Sequence, residues 1–100
     1  MSNAYRICIL RLIEIEYDPA KADANLTKHG VSFDEAESAL LDPMALVRED
    51  EDAEGESRWI LLGMSSQERL LVVIYSLRDG ERIRLISACK ATRSEARSYA

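Results

Sequence analysis

The sequence from 69 to 87 reads RLLVVIYSLRDGERIRLIS. Its residues 70–75 are all apolar, which is typical of a central strand in an antiparallel sheet. Asp79-Gly80 is a dipeptide favoured in tight hairpins. The stretch therefore predicts two antiparallel strands, Arg69–Ser76 and Arg82–Ser87. In the second of them, period-two alternation puts Arg82 and Arg84 on one face of the sheet.

Upstream of this hairpin, strand patterns occur at Leu10–Tyr17, Met44–Val47 and Arg58–Leu62, and helix signals lie between them. A first helix is predicted from Pro19 to Lys28, with Asp18 as its N-cap and Gly30 closing it. Capping boxes open a second helix at residues 32–35 and a short last helix at residues 92–95. The predicted fold is therefore α+β: an antiparallel sheet of about four to five strands, two helices in the N-terminal half and a short C-terminal helix.

Length and composition predict one domain over residues 1–100, with 47% apolar residues for its core. Residues 1–13 are an extra N-terminal strand or a tag-like start. The apolar run near the N-terminus is too short to cross a membrane. The two cysteines lack metal-site spacing and are too few for a disulfide scaffold, so we expect a reduced, cytoplasmic protein.

Charge is unevenly distributed along the chain. The formal net charge is −5, which argues against unselective binding to polyanions. Residues 82–100 nevertheless carry five basic residues and one acid, and could form one confined phosphate-facing surface. By contrast, residues 49–56 carry six carboxylates, which predicts a mobile, exposed loop.

The residues that could support chemistry are a set of cations and a single histidine. Arg58, Arg82 and Arg84 on one sheet face could grip a phosphate and stabilise the charge that develops in phosphoryl transfer. Lys28 and His29 could perform acid–base steps. As an alternative, His29 only supports the end of its helix and the arginines are solvated or paired with acids. We identify no metal-ligand set and no cofactor motif.

A series of motifs closely resembles the BrnT family of ribonuclease toxins. They are YDPAK at 17–21, NLTKHGVSFDEA at 25–36, EGESRW at 54–59, LLVVIY at 70–75, RIRLISA at 82–88 and KATRSE at 90–95. The resemblance covers roughly residues 14–100, and the 25–31 segment is quite specific to the family.

This resemblance implies a RelE-like fold and a ribosome-independent endoribonuclease. Because the sequence has no metal-ligand set, we expect that endoribonuclease to be metal-independent. It also implies neutralisation by a BrnA-type antitoxin with a ribbon-helix-helix domain, through which the complex would reach operator DNA. Homodimer formation stays open, and no membrane partner is implied. The matching positions give His29, Lys28, Arg58 and Arg84 as candidate catalytic residues, and Lys21, Arg82, Lys90 and Arg93 as candidate RNA-binding residues.

The chain departs from the family pattern at two positions. Cys89 and Met64 stand where relatives often carry a basic residue, and many relatives are less acidic. These departures support an alternative function, in which a catalytically weak or inactive homologue acts as an antitoxin-binding module in operon autoregulation.

Overall fold

A computed structural model describes residues 4–8, 13–53, 55, 57–78 and 82–99. These residues form a six-stranded sheet and three helices. In chain order the elements are β1 (Ala4–Cys8), β2 (Ile13–Tyr17), α1 (Pro19–His29), α2 (Phe33–Leu40), β3 (Leu46–Asp50), β4 (Arg58–Met64), β5 (Leu70–Arg78), β6 (Arg82–Lys90) and α3 (Arg93–Ala96). The predicted α+β class, the β5–β6 pairing and all three helices are confirmed. Residues 9–12, with part of the predicted first strand, and the Asp79-Gly80 turn lie outside the described residues.

The sheet has the strand order β1-β2-β6-β5-β4-β3. Neighbours are antiparallel except β2 and β6, which run parallel. One feature differs from the sequence prediction: the β2–β6 pairing is parallel. Strand β1 lies in the segment for which an extra strand or a tag-like start was predicted, and it brings the described strands to six. The parallel pair arises because the chain returns from the far edge of the sheet and places β6 between β2 and β5.

Capping interactions set the helix boundaries close to those predicted. The Asp18 carboxylate accepts a hydrogen bond from the Ala20 N–H at 2.9 Å, and Gly30 ends α1 in the left-handed region at φ 70°. Thr92 forms the predicted capping box at the start of α3. At α2 only half of the predicted box forms: Ser32 accepts from the Glu35 N–H at 3.0 Å, but the Glu35 carboxylate bonds elsewhere.

The acidic run is less loop-like than predicted. Strand β3 extends through Glu49 and Asp50, which lie in register with Trp59 and Arg58 on β4. Pairing with β4 supplies backbone hydrogen bonds that the charge pattern did not predict. Glu51 and Asp52 are exposed and form the turn that follows, whereas Glu54 and Glu56 lie outside the described residues.

One face of the sheet packs against α1 and α2 and forms the core. Its buried side chains include Ile15 on β2, Leu85 on β6, Val73 and Tyr75 on β5 and Leu61 on β4. Buried residues of the helical layer are Val31, Phe33, Ala36 and Ala39, and Ala22 of α1 packs against the same cluster. Because side chains alternate along a strand, the residues between these core positions project from the opposite face.

Two sets of polar contacts join the helical layer to the sheet, one buried and one partly exposed. The Asn25 amide of α1 donates to the Ala88 carbonyl at 2.8 Å and accepts from the Ala88 N–H at 3.1 Å. The described β2–β6 register covers Arg82–Arg84 only, so Asn25 satisfies the edge of β6 farther along. Arg69, just before β5, donates hydrogen bonds to both carboxylate oxygens of Glu35 on α2 and to the Gly30 carbonyl.

The C-terminal segment is anchored near its end. The Tyr99 hydroxyl donates to the Asp42 carboxylate, which also accepts the Met64 N–H at 2.8 Å. The Met64 hydrogen bond, and then that of Tyr99, holds the pKa of Asp42 below its usual value. Among the described residues, no helix has both the length and the apolar composition needed to span a membrane.

Candidate functional site

A row of polar residues crosses five strands on the face opposite the core. The register aligns Glu16 on β2 with Arg84 on β6, Arg84 with Ser76 on β5, Ser76 with Arg58 on β4, and Arg58 with Asp50 on β3. We call these five residues the cross-strand row. Neighbouring strands lie about 4.8 Å apart, so the Arg84 and Arg58 backbones are separated by about 10 Å. That spacing brings two long guanidinium side chains within reach of one anion.

The centre of the cross-strand row contains buried polar atoms that have no hydrogen-bond partner in the described part of the chain. Ser76 is fully buried at 0% exposure. Its hydroxyl oxygen and the Arg58 Nε are both shielded from solvent, and neither has a hydrogen-bond partner among the described residues. Buried polar groups are normally hydrogen-bonded, so unsatisfied ones at one place indicate that a ligand or water completes the site.

The acids at the β2 end of the row limit how much positive charge is available. Arg82 Nε lies 3.3 Å from Glu14 Oε2 in an ion pair that water screens. Glu16, only 2% exposed, is in register with Arg84. Each arginine of the row thus has an acid in register on its outer side, Glu16 beside Arg84 and Asp50 beside Arg58. Between the two arginines the row contains only the neutral Ser76.

The other candidate residues lie elsewhere. Lys21, Lys28 and His29 belong to α1, which packs on the core face, so they lie on the opposite side of the sheet from Arg58 and Arg84. Lys90 ends β6, and Arg93 begins α3; both are exposed. The structure thus brings Arg58, Arg82 and Arg84 onto one face and does not bring His29 or Lys28 to them.

Cys89 lies on β6, in register with Val72. Burial, and then the negative charge of Glu95, raises the pKa of its thiol. The Cys89 side chain is therefore a neutral thiol at physiological pH. It adds neither positive nor negative charge to β6.

Within the described ranges, no group of three or more histidine, cysteine, aspartate and glutamate side chains is arranged to hold a metal ion. The residues that could bind a ligand at the cross-strand row are instead guanidinium and hydroxyl donors. These groups suit an anion, and two arginines beside a hydroxyl suit a phosphate in particular.

Comparison with known proteins identifies the family. The family described as "Ribonuclease toxin, BrnT, of type II toxin-antitoxin system" matches residues 17–95. The chain belongs to the BrnT family. The fold is similar to the 1.1 Å crystal structure of the Brucella abortus ribonuclease toxin BrnT, with a TM-score of 0.59 and 24% sequence identity over 77% of this chain and 94% of that chain. No curated protein matches the sequence. As a member of a type II toxin–antitoxin family, this BrnT chain has an antitoxin as its partner.

The 25–31 segment shared with the BrnT family has a structural role in this chain. Asn25 bonds to Ala88 and also donates to the Val31 carbonyl at 2.9 Å, Gly30 supplies the left-handed turn, and Val31 is completely buried. His29 immediately precedes this turn and is half-buried. The segment therefore fixes α1 against β6 as well as presenting His29 and Lys28.

Sequence reasoning missed the contributions of Ser76 and Glu16. Glu16 and Ser76 lie beside Arg84 on the neighbouring strands. Finding them requires knowing which residues of those strands pair with Arg84, and the sequence does not give this register. The register of β5 with β6 shifts between Ile74 and Tyr75, and no sequence signal marks that irregularity. Glu35 and Arg69, whose ion pair joins α2 to the start of β5, were likewise not singled out.

Proposed function

We propose that this BrnT toxin cleaves RNA at the cross-strand row, with a phosphodiester bound between Arg84 and Arg58 above Ser76. One observation carries the proposal. The Ser76 hydroxyl and the Arg58 Nε are buried donors without protein partners among the described residues, and they lie on one face with Arg84. A phosphate oxygen could satisfy both donors once the side chains that cover them move aside, because both atoms are shielded from solvent.

The chemistry needed at such a site is limited. In RNA cleavage the 2′-hydroxyl gives up its proton to a base and its oxygen attacks the neighbouring phosphorus, while negative charge accumulates on the non-bridging oxygens. The P–O5′ bond then breaks, the 5′-oxygen leaves with a proton, and a 2′,3′-cyclic phosphate remains. Guanidinium groups held in place before the reaction stabilise that charge, and arginine binds phosphate oxygens in a bidentate manner. We therefore propose a metal-independent endoribonuclease without a cofactor. Cleavage that is lost in the presence of a chelator would contradict this proposal.

Proton transfer is a separate proposal because the candidate groups lie apart. His29 and Lys28 belong to α1 on the core side, so in this arrangement they cannot contact the same phosphate as Arg84 and Arg58. An acid–base role for them requires a second point of contact between the RNA and α1. Unchanged cleavage by His29→Ala would eliminate His29 from the mechanism without affecting the proposed phosphate site.

The four other candidate cations are proposed to bind RNA outside the cleavage site. Lys21 lies on α1, and Lys90 and Arg93 lie where β6 passes into α3. Arg82, paired with Glu14, is the proposed contact nearest to the cross-strand row. Contacts of this kind are electrostatic, so we expect binding to weaken steeply as the salt concentration rises.

The proposed biological setting is the cytoplasm, where the RNA substrate is present. We propose a BrnA-type antitoxin with a ribbon-helix-helix domain as the neutralising partner. The toxin would then reach DNA only indirectly, through an antitoxin that binds the operator. The BrnT family membership supports this setting.

A second candidate function is an antitoxin-binding module with weak or no cleavage. The observation that favours it is the residue at position 89: a cysteine supplies no positive charge to β6 where the family resemblance leads us to expect a basic residue. The net charge of −5 also opposes RNA binding. On this view the protein tunes operon repression through its partner.

Purified protein and a labelled RNA distinguish the two functions. We expect the wild type to cut the RNA in the presence of EDTA, whereas Arg58→Ala and Arg84→Ala lose cleavage and remain folded. Arg97→Ala, which removes an exposed arginine outside the cross-strand row, is the matched control and should cleave normally. Intact RNA after long incubation with folded wild-type protein would favour the antitoxin-binding module.

A further inference from the structure

Strand β3 forms one end of the described sheet and exposes apolar side chains. It pairs with β4 on one side, and its position at the end of the strand order leaves the other edge facing outward. Leu46 and Val47 are 42% and 49% exposed, and Met44 just before them is 55% exposed. A strand edge with exposed aliphatic residues favours pairing with another extended chain.

A groove lies beside this edge, between the sheet and α3. Its volume is about 330 Å³. Leu46 lies at the groove, Ile60, Leu62 and Val72 supply apolar lining from the sheet, and Ser94, Glu95 and Ser98 line it from the C-terminal segment. One water molecule occupies about 30 Å³, so the groove is large enough to receive an aliphatic side chain from a strand paired with β3.

The same edge is strongly acidic at one end. Exposed Arg48 follows the apolar residues of β3 and lines the groove with them, and exposed Glu49 comes next within β3. Glu51 and Asp52 continue in the turn, and both are exposed. Four consecutive carboxylates, Glu49 to Asp52, outnumber the single Arg48, repel one another and attract a cationic segment. Along its length the β3 edge therefore offers apolar contacts, then one positive charge, then a run of negative charge.

We propose that β3 is a docking strand for an extended segment of a protein partner that carries alternating aliphatic and basic residues. Such a segment would add a seventh strand, place an aliphatic side chain in the groove and set its basic side chains against Glu49–Asp52. A second copy of this chain is a poorer occupant, because each copy carries a net charge of −5. Assigning the segment to the antitoxin rests on the proposed pairing; the docking surface shares Asp50 with the cross-strand row but uses neither of its arginines.

The test uses a ten-residue peptide of alternating valine and arginine, with the valine–glutamate peptide as its counterpart. We expect the arginine peptide to bind the wild-type protein and the glutamate peptide not to bind, as measured by fluorescence anisotropy. Leu46→Lys combined with Val47→Lys should weaken binding at least tenfold. Leu41→Lys combined with Leu77→Lys is the matched control. It adds the same charge at residues that are 47% and 43% exposed, and we expect little loss of binding.

Hydrogen exchange on the wild-type protein gives a readout that does not depend on any variant folding. Bound arginine peptide should slow exchange at the amides of residues 46–50. The proposal is wrong if the wild type does not bind, if both peptides bind equally, or if the two double variants weaken binding alike. It is also wrong if the wild type sediments as a dimer that Leu46→Lys with Val47→Lys dissociates, because a second copy would then occupy the edge. RNA cleavage should be unchanged in both double variants, so this result is independent of the cleavage site.

Discussion

Replacing Asn25 with alanine should be among the most damaging single changes to the stability of this fold. The Asn25 side chain is 6% exposed and satisfies three buried backbone groups: the Val31 carbonyl at 2.9 Å, the Ala88 carbonyl at 2.8 Å and the Ala88 N–H at 3.1 Å. Alanine would leave all three groups without this partner. An unsatisfied buried group costs about 1–3 kcal/mol, so the lower end of that range already gives a loss of about 3 kcal/mol.

Urea unfolding followed by circular dichroism measures this loss directly. For a domain of this size, about 3 kcal/mol corresponds to a fall in melting temperature of roughly 10–20 °C. Thr27→Ala, at an exposed position of the same helix, controls for changes in helix propensity and should stay within about 0.5 kcal/mol of the wild type. If Asn25→Ala proved as stable as Thr27→Ala, the amide would not be what holds α1 to β6.

Three further predictions follow from individual contacts. The hydrogen bond from Arg69 holds the pKa of Glu35 below its ordinary value of 4.5, so as the pH falls the unfolded state takes up the proton first. The contribution of Glu35 to stability should be complete above about pH 4.5 and be lost as the pH drops further, and urea titrations should show a smaller fall for Glu35→Gln. Gly63→Ala should destabilise the protein by about 1–3 kcal/mol in thermal melts, because its Cβ would lie 2.7 Å from the Ala39 carbonyl oxygen; a melting temperature equal to that of the wild type would contradict the close approach. RNA binding measured by filter retention between 50 and 200 mM salt should weaken by about tenfold or more if several phosphates are contacted; salt-independent binding would exclude the arginine face.

Local signals in the sequence were sufficient for most of the secondary structure. Asp18, Gly30 and Thr92 act at helix ends through short-range hydrogen bonds, and their effects can be predicted without knowing the rest of the fold. The alternation in Arg82–Ser87 likewise predicted a strand with arginines on one face. Contacts between distant segments were not predictable in this way. The parallel pairing of β2 with β6 and the extension of β3 into the acidic run both depend on which strand lies alongside.

The candidate site was predicted only in part for the same reason. Arg58 and Arg84 could be singled out as cations on strands, but their separation by Ser76 depends on a register that shifts between Ile74 and Tyr75. His29 was grouped with the arginines by residue type and by the family resemblance, and neither gives its position in space. Its position on the far side of the sheet follows from the packing of α1 onto the core, which the sequence pattern does not specify.

The central claim is that the cross-strand row cleaves RNA, and controlled expression in a bacterial host tests it most directly. Wild type, Arg84→Ala and Arg97→Ala would be induced at equal soluble levels, and growth and total RNA would be followed. The account predicts growth arrest and RNA loss with the wild type and Arg97→Ala, and normal growth with intact RNA for Arg84→Ala. Full toxicity of folded Arg84→Ala protein would contradict it.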